Sequence, residues 1–518
     1  MSQGKPNALD SDERYAALIN NAGAIRAVCS AVEGTLGPKG LDAMLVGTNG
    51  EIIITNDGVT ILDKMDVTHP AAKLLIQVAR SQQREVGDGT TTATVLAGAM
   101  VQEGVSQVTR GVPPTKVVSG LQRGVALAIE ALQRRARPVT SLDDPLLRQT
   151  AYIAGREQAD IVHLVMEAAQ RLGKDKLLDP QFHLADAVSA HEKADNEVWP
   201  GILLRYKPVH RHAVTARTDA RVLVLRDALE PEQFGEELMA TEAGLARYME
   251  LRQHFEAQLE RLRALDIGLI VLERGIHPDA EQFCHDHRMI VLQRVNRDEI
   301  ARICRLTGAV PMRRTALHKS EEEIGRMLGT VGSVHYDERL ERVRLAASEQ
   351  RIEGAIDGQT VTIIVGASTA EVVGERARIA ADAASAVQAA VKRGILPGGG
   401  TTELAVAAEL ERHRDTVKGM ETFGLMAVAQ ALSKPMAQIV LNAGFNPLEK
   451  VEEARAAQLE QNCDSIGVDC DTGGLIDYAE LGIVDPALVK IHALQAAGEV
   501  AAAVLRIHNV IKMRQGGE

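Results

Sequence analysis

Aromatic side chains make up only 3% of this 518-residue chain, and Trp199 is its single tryptophan. Its cores must therefore be packed by aliphatic side chains and alanine, a composition that favours helix. The five cysteines, Cys29, Cys284, Cys304, Cys463 and Cys470, are scattered and include no CxxC pair. That excludes a disulfide framework and a zinc ligand set, and leaves idle thiols in a reducing compartment. A formal charge of −12 leaves no surplus of Lys and Arg to neutralise phosphates along a broad face, so nucleic acid is not an expected partner. The stretch from Met1 to Asn7 lacks the apolar core of a signal sequence, and no apolar run is read as long enough to span a membrane. The expectation is a cytoplasmic protein without membrane contact. No internal repeat or low-complexity tract is found.

What is present is a globular composition, 45% hydrophobic and 25% charged, on a chain too long for one core. Two or three domains are expected. From Glu13 to about Gln133 the pattern is helical, broken by the β-branched run Ile52-Ile53-Ile54-Thr55, which reads as a strand. Pro70 opens a helix with Leu74, Leu75, Val78 and Ala79 inward, and Gly87 closes it. A second helix starts within Thr90 to Thr92, with Val95, Leu96, Met100 and Val105 inward. Between about Val198 and Arg314 the texture changes to short apolar strands, Val222 to Leu225, Ile267 to Leu272 and Met289 to Leu292, separated by helical segments. This predicts an α/β domain with a parallel or mixed sheet. A long amphipathic insertion, Glu230 to Ala264, interrupts it; Tyr248, Phe255, Leu259 and Leu262 should pack inward, whereas Phe234, Leu238 and Met239 suit an exposed tip. After the strand Val361 to Val365, an alanine-rich helix from Ala370 to Val391 leads to Gly398-Gly399-Gly400. The C-terminal segment, with Val500, Val504, Ile507 and Ile511 in one stripe, is helical like the first, so the two ends are expected to form one domain.

Two glycine-rich stretches point to chemistry: Gly34-Thr35-Leu36-Gly37-Pro38-Lys39-Gly40 and Gly87-Asp88-Gly89-Thr90-Thr91-Thr92. Each puts backbone N–H groups at a helix boundary, where the helix dipole favours an anion, and the second adds a carboxylate suited to Mg²⁺. The combination points to ATP. The first stretch does not fit GxxxxGK[ST], so it is no Walker A loop and Lys39 is left outside the catalytic set.

Together with Asn56-Asp57-Gly58, Gly398-Gly399-Gly400 and Gly482-Ile483-Val484-Asp485-Pro486, these motifs follow one linear order that resembles the chaperonins, ATP-driven protein-folding rings. The long insertion after Asp227-Ala228-Leu229-Glu230 is similar to the built-in lid of the thermosome-like group, which also occurs in some bacteria. The resemblance implies a multidomain α and α/β fold. Residues 1–140 and 395–518 would form a helical equatorial ATPase domain, 141–195 and 351–394 a small intermediate domain, and 196–350 an α/β apical domain with a helical protrusion. It implies that Leu36, Gly37 and Pro38 line the nucleotide, that Gly89, Thr90, Thr91 and Thr92 hold its phosphates, and that Asp88 binds Mg²⁺. Asp57 would position the attacking water, Asp382 would arrive from another domain as a second catalytic acid, Gly399 would pack on the nucleotide and Asp485 would contact the ribose. Arg156 falls where many relatives of this kind carry a lysine that senses the γ-phosphate; arginine supplies the charge with different reach and hydration.

The implied partners are non-native polypeptides and further copies of the chain, a homo-oligomer of stacked rings without a separate lid co-chaperonin. Each site residue also has an ordinary reading. Asn56-Asp57-Gly58 is a common turn, Asp382 a solvated helix-face acid, Gly399 a hinge, Asp485 a helix N-terminal acid before Pro486, and Arg156 a surface ion-pair partner. Two other functions fit a glycine-rich ATP site: a small-molecule kinase or other phosphotransferase, against which the missing Walker A and kinase signatures count, and a non-hydrolysing holdase scaffold, against which Asp57, Asp88 and Asp382 count.

Overall fold

The computed structural model describes residues 15–47, 50–210, 216–232, 242–348 and 360–509. Two compact units emerge: Met1–Ala169 with Lys174–Asp186 and Ile379–Glu518, and Gln170–Gly173 with Ala187–Arg378.

The first unit joins the two chain ends. Helices Thr90–Thr109 and Pro114–Arg135 pack against Ala487–Leu505 and Glu421–Leu432, around a core mainly of alanine, valine, leucine and isoleucine in which, among the described residues, no tryptophan or phenylalanine is buried. Small side chains let these helices approach closely. A Cβ on Gly120 would lie 1.9 Å from the Glu421 carbonyl oxygen, and one on Gly424 would lie 2.1 Å from that of Val117, so each glycine seats its backbone directly on the other helix. Helix Pro70–Glu85 buries Leu75, Val78 and Ala79 as expected, but Leu74 turns outward, 37% exposed, because the stripe that faces the core continues through Gln82 instead.

One expectation is corrected. The run Glu421–Asn442 and the helix Ala487–Leu505 do reach the length and hydropathy of a membrane span. In both, 67% of the apolar window is buried inside the fold, and burial from several sides explains why these helices are apolar all round.

Two small ladders matter for the site. Ile395–Pro397 pairs antiparallel with Val484–Pro486, placing Leu396 opposite Asp485. Ala43–Val46 pairs with the predicted strand Ile52–Thr55, and this hairpin leaves Met44, Val46, Ile52 and Ile54 exposed.

The second unit is built on a six-stranded mixed sheet in the order Gly201–Leu204, Arg342–Ala346, Gly329–Asp337, Ala216–Leu225, Ile267–Leu272 and Ile290–Leu292, the last three parallel. Alternation splits the buried strands between two layers. Val222, Val224, Leu269 and Val271 face helix Arg297–Thr307, while Leu223, Leu225, Ile270 and Leu272 face Phe255, Leu259 and Leu262 of helix Glu242–Ala264. The first half of that long helix keeps Leu245 and Met249 exposed and Tyr248 half-buried, a shallower seat for Tyr248 than its spacing predicts. Phe234, Leu238 and Met239 lie outside the described residues. A separate sheet joins Val188–Glu192, Thr362–Ala367 and Glu197–Trp199.

The close helix crossing predicts opposite outcomes for two glycine-to-alanine changes. Gly120→Ala should destabilise the protein by roughly 1–3 kcal/mol or more, because a backbone carbonyl has to give way. Gly23→Ala, whose added methyl meets nothing within 4 Å in helix Ala16–Val32, should stabilise it by about 0.5–1 kcal/mol. Chemical denaturation of the two variants measures both signs.

Candidate functional site

The second glycine-rich stretch is held by glycine geometry. Gly87 and Gly89 have φ of +80° and +77°, a region that L side chains avoid, and Gly89 sits at the N-cap of helix Thr90–Thr109 without a side-chain cap. The first-turn amides of Thr90, Thr91 and Thr92 are therefore not taken by a capping side chain, which suits an anion. The first stretch turns at Gly37, φ +87°, with the Gly40 N–H donating to the Gly37 carbonyl at 3.0 Å. Asn442 Nδ2 donates to the carbonyls of Glu33 and Leu36 at 2.9 and 2.8 Å, and the short turn Glu33–Thr35 packs against helix Thr90–Thr109. The two stretches thus belong to one locality, with Leu36 half-buried and Gly37 and Pro38 exposed. Lys39 instead pairs with Asp471 at 2.6 Å on the surface.

Asp57 ends the Ile52–Thr55 strand and caps helix Gly58–Lys64, accepting from Thr60 N and Oγ1 at 3.1 and 2.5 Å. The turn reading of Asn-Asp-Gly is correct as local structure. What sequence does not show is where the turn sits: a Cβ on Gly58 would lie 2.5 Å from Thr91 Oγ1 and 3.1 Å from Thr90 Oγ1. Only glycine lets the Asp57 turn rest on the open helix N-terminus. Arg156, with φ +49° and followed by Glu157 at +61°, donates from Nη2 to Asn56 Oδ1 beside it.

The electrostatics bind these pieces together. Burial pushes the Asp88 carboxyl up to about 6, and the charges of Asp485 and Asp57 push the same way, against the Gly89 N–H, which donates to Oδ1 at 2.6 Å, and against Arg156. Three carboxylates with one guanidinium make a locally electronegative site that a cation would relieve. Among the described residues no three His, Cys, Asp or Glu side chains form a metal-holding group. Mg²⁺ needs no such group, since it takes one or two carboxylates and completes its shell with phosphate oxygens and water.

Asp382 is half-buried on helix Ala370–Arg393, whose residues from Ile379 onward belong to the first unit together with Asp88. One turn later Ser385 covers Gly87, where a Cβ would meet Ser385 Oγ at 2.2 Å, and Ala383 lies over Gly155 at 3.5 Å. Asp382 is thereby carried on the helix that touches both the Asp88 loop and the Arg156 loop. Gly399 has φ +57°, and its Cβ position lies 2.4 Å from the Tyr478 ring. That requirement for glycine exists whether or not a nucleotide packs there.

Sequence reading missed the supports behind this site. Lys490, 4% exposed, donates to both Glu403 oxygens at 2.8 Å and pairs with Asp485 at 2.9 Å. Gln82, fully buried, donates from Nε2 to the carbonyls of Asp88 and Val489 at 2.7 and 3.2 Å, while its Oε1 meets His492 Nδ1 at 2.7 Å. Burial holds His492 below its ordinary pKa, so the neutral ring donates from Nδ1. The available signal was a lone Lys and a lone Glu inside apolar helices, and a Gln in the core-facing stripe of Pro70–Glu85.

Two outcomes follow. The raised Asp88 pKa means that the folded protein binds this proton more tightly than the unfolded chain, so ionising Asp88 weakens the fold as pH rises from about 4 to about 6. Asp88→Asn should raise the melting temperature of the nucleotide-free protein above pH 6, with the gain fading as pH falls towards 4; thermal melts across that range measure it. Lys490→Met should destabilise by about 3–5 kcal/mol by stranding the buried Glu403 carboxylate, and adding Glu403→Gln should recover part of the loss in denaturation experiments.

Comparison with known proteins accounts for nearly the whole chain. The model of the TCP-1/cpn60 chaperonin family matches residues 28–515. Thermosome subunit alpha of Halobacterium salinarum is 31% identical over 507 residues, covering 95% of this chain and 87% of that protein. Thermosome subunit beta of Aeropyrum pernix is 32% identical over 513 residues, covering 96% and 91%. A crystal structure of a group III chaperonin in the open state superposes with a TM-score of 0.87 at 42% identity, covering 96% of this chain and all of that one. With its motifs, its fold and its relatives in agreement from end to end, the chain belongs to the TCP-1/cpn60 chaperonin family.

Proposed function

We propose that this chain is one subunit of an ATP-driven chaperonin that encloses non-native polypeptide in a ring of identical copies. The observation that carries the reading is the Asp57 turn resting, through Gly58, on the uncapped N-terminus of helix Thr90–Thr109 beside Asp88, whose carboxyl feels the charges of Asp57, Asp485 and Arg156. In this reading Thr90, Thr91 and Thr92 hold the phosphates, Leu36, Gly37 and Pro38 line the nucleotide with Gly399 nearby, and Asp485 meets the ribose. Asp88 would hold Mg²⁺, which when bound neutralises phosphate charge. Asp57, with one oxygen committed to Thr60, is assigned to orient water through the other, and Asp382 to take its proton. Arg156 supplies positive charge at the phosphate end.

The three-domain division, with 1–140 and 395–518 equatorial, 141–195 and 351–394 intermediate, and 196–350 apical, is part of this proposal. Hydrolysis would depend on the Asp382 helix occupying its seat on Gly87, which ties turnover to the position of the intermediate segments. For self-association, the hairpin Ala43–Val46 with Ile52–Thr55 offers an exposed apolar face. The helix Glu242–Ala264, whose first half keeps Leu245 and Met249 exposed, is assigned to the built-in lid. Five free thiols, with Cys29 and Cys284 pushed up to about 12 by burial, suit a reducing compartment such as the cytoplasm.

Asp382→Ala should bind ATP as the parent does and hydrolyse it at least about a hundredfold more slowly. Unchanged turnover would remove its assignment. Negative-stain images of the parent with ATP should show rings, and monomers alone would remove the chaperonin reading.

A further inference from the structure

The second unit carries a feature that the ATP site does not use. At the carboxyl ends of the parallel strands Ala216–Leu225 and Ile267–Leu272 lies a crevice of about 580 Å³. Arg226 and Asp227 follow the first strand, Glu273 and Arg274 follow the second, and Arg297 and Arg313 complete the charged lining. On a chain of net charge −12, four guanidinium groups among the described residues here face two carboxylates.

Both carboxylates are already engaged. Glu273 pairs with Arg297 at 2.9 Å, and Asp227 Oδ2 accepts from the Arg314 N–H at 2.9 Å. Arg226, Arg274 and Arg313 have no ion pair or side-chain hydrogen bond among the described residues, and all three are exposed. Their backbones are nevertheless fixed. Met312 N–H donates to the Val224 carbonyl at 3.0 Å and Arg226 N–H returns to Met312 at 2.9 Å, setting Arg313 beside Arg226. Arg294 N–H donates to the Arg274 carbonyl at 2.9 Å, and Asn296 caps the helix that begins at Arg297. The backbone that carries these side chains is therefore already ordered, so only the side chains themselves need to be ordered around a ligand.

We propose that this crevice binds an extended acidic segment of polypeptide, carboxylate side chains meeting Arg226, Arg274 and Arg313 while an apolar side chain rests on Ile300, Ala301 and Pro311. The inference rests on the client-binding reading above and names a class of client for it. The volume suits several side chains rather than a single ion, and guanidinium matches carboxylate with paired donors. Among the described residues no aromatic side chain lines the crevice, so they offer no stacking platform of the kind single-stranded nucleic acid uses.

The test uses the full chain and a labelled peptide of alternating Glu and Leu, with a Lys and Leu peptide of the same length as control, read by fluorescence anisotropy. The Glu peptide should bind and weaken with added salt. Arg226→Glu combined with Arg274→Glu should weaken it at least about tenfold, with ATP turnover and ring formation unchanged. Arg226→Lys with Arg274→Lys should retain most binding, which keeps the test valid if the charge reversal fails to fold. Equal binding of the Lys peptide, or indifference to both pairs of changes, overturns the inference. So does tighter binding of a single-stranded oligonucleotide of matched charge. Rings that protect a neutral client but ignore the acidic peptide would overturn this inference alone, whereas absent rings and absent protection would overturn the chaperonin reading.

Discussion

The contact of buried Lys490 with Glu403 and Asp485 is the constraint on which the candidate site depends. It places Lys490 and Glu403 where little water reaches, so each must satisfy the other, and ties the half-exposed Asp485 to the same cation. Its geometry links the helix after Gly400, the ladder of Ile395–Pro397 with Val484–Pro486, and the first turn of helix Ala487–Leu505. Those elements come from different parts of the second half of the chain. The first two turns of helix Ala487–Leu505 supply the Val489 carbonyl and His492 to Gln82, and Gln82 holds the Asp88 carbonyl. The C-terminal helix therefore positions Asp485 directly and the Asp88 loop through one buried amide.

Around that frame, glycine serves mainly as permission for contact. Gly58 lets the Asp57 turn reach Thr90 and Thr91, Gly87 lets Ser385 close over the Asp88 loop, and Gly120 with Gly424 brings two core helices to backbone contact. Each is a place where a methyl group would hold apart surfaces whose approach the site needs. The near absence of aromatics in the first core has the same root, since close helix approach favours alanine, valine and glycine over rings.

Much of this was legible in advance. Strands such as Val222 to Leu225 and helices such as Pro70–Glu85 follow from patterns a few residues long, and the motif order carried the family. The misreadings share one cause. Leu74 lies outward because Gln82 extends the buried stripe along a slightly different line, and Tyr248 is only half-buried because the early part of its helix stands clear of the sheet. The apolar runs Glu421–Asn442 and Ala487–Leu505 look like membrane spans until their neighbours are known. In each case the face that a residue shows depends on partners distant in the chain.

The sequence by itself determined the periodicities, the glycine-rich turns and the identity of the acids, because these are set by backbone preference and side-chain chemistry within a few residues. Only the tertiary structure decided that Asp57, Asp88, Asp485 and Arg156 share one field, that Lys490 and Gln82 stand behind them, and that three arginines without an ion pair among the described residues meet at the ends of two parallel strands. Burial and charge coupling act through space, and residues separated by some four hundred positions, such as Gln82 and Val489, become neighbours only when the chain ends pack together.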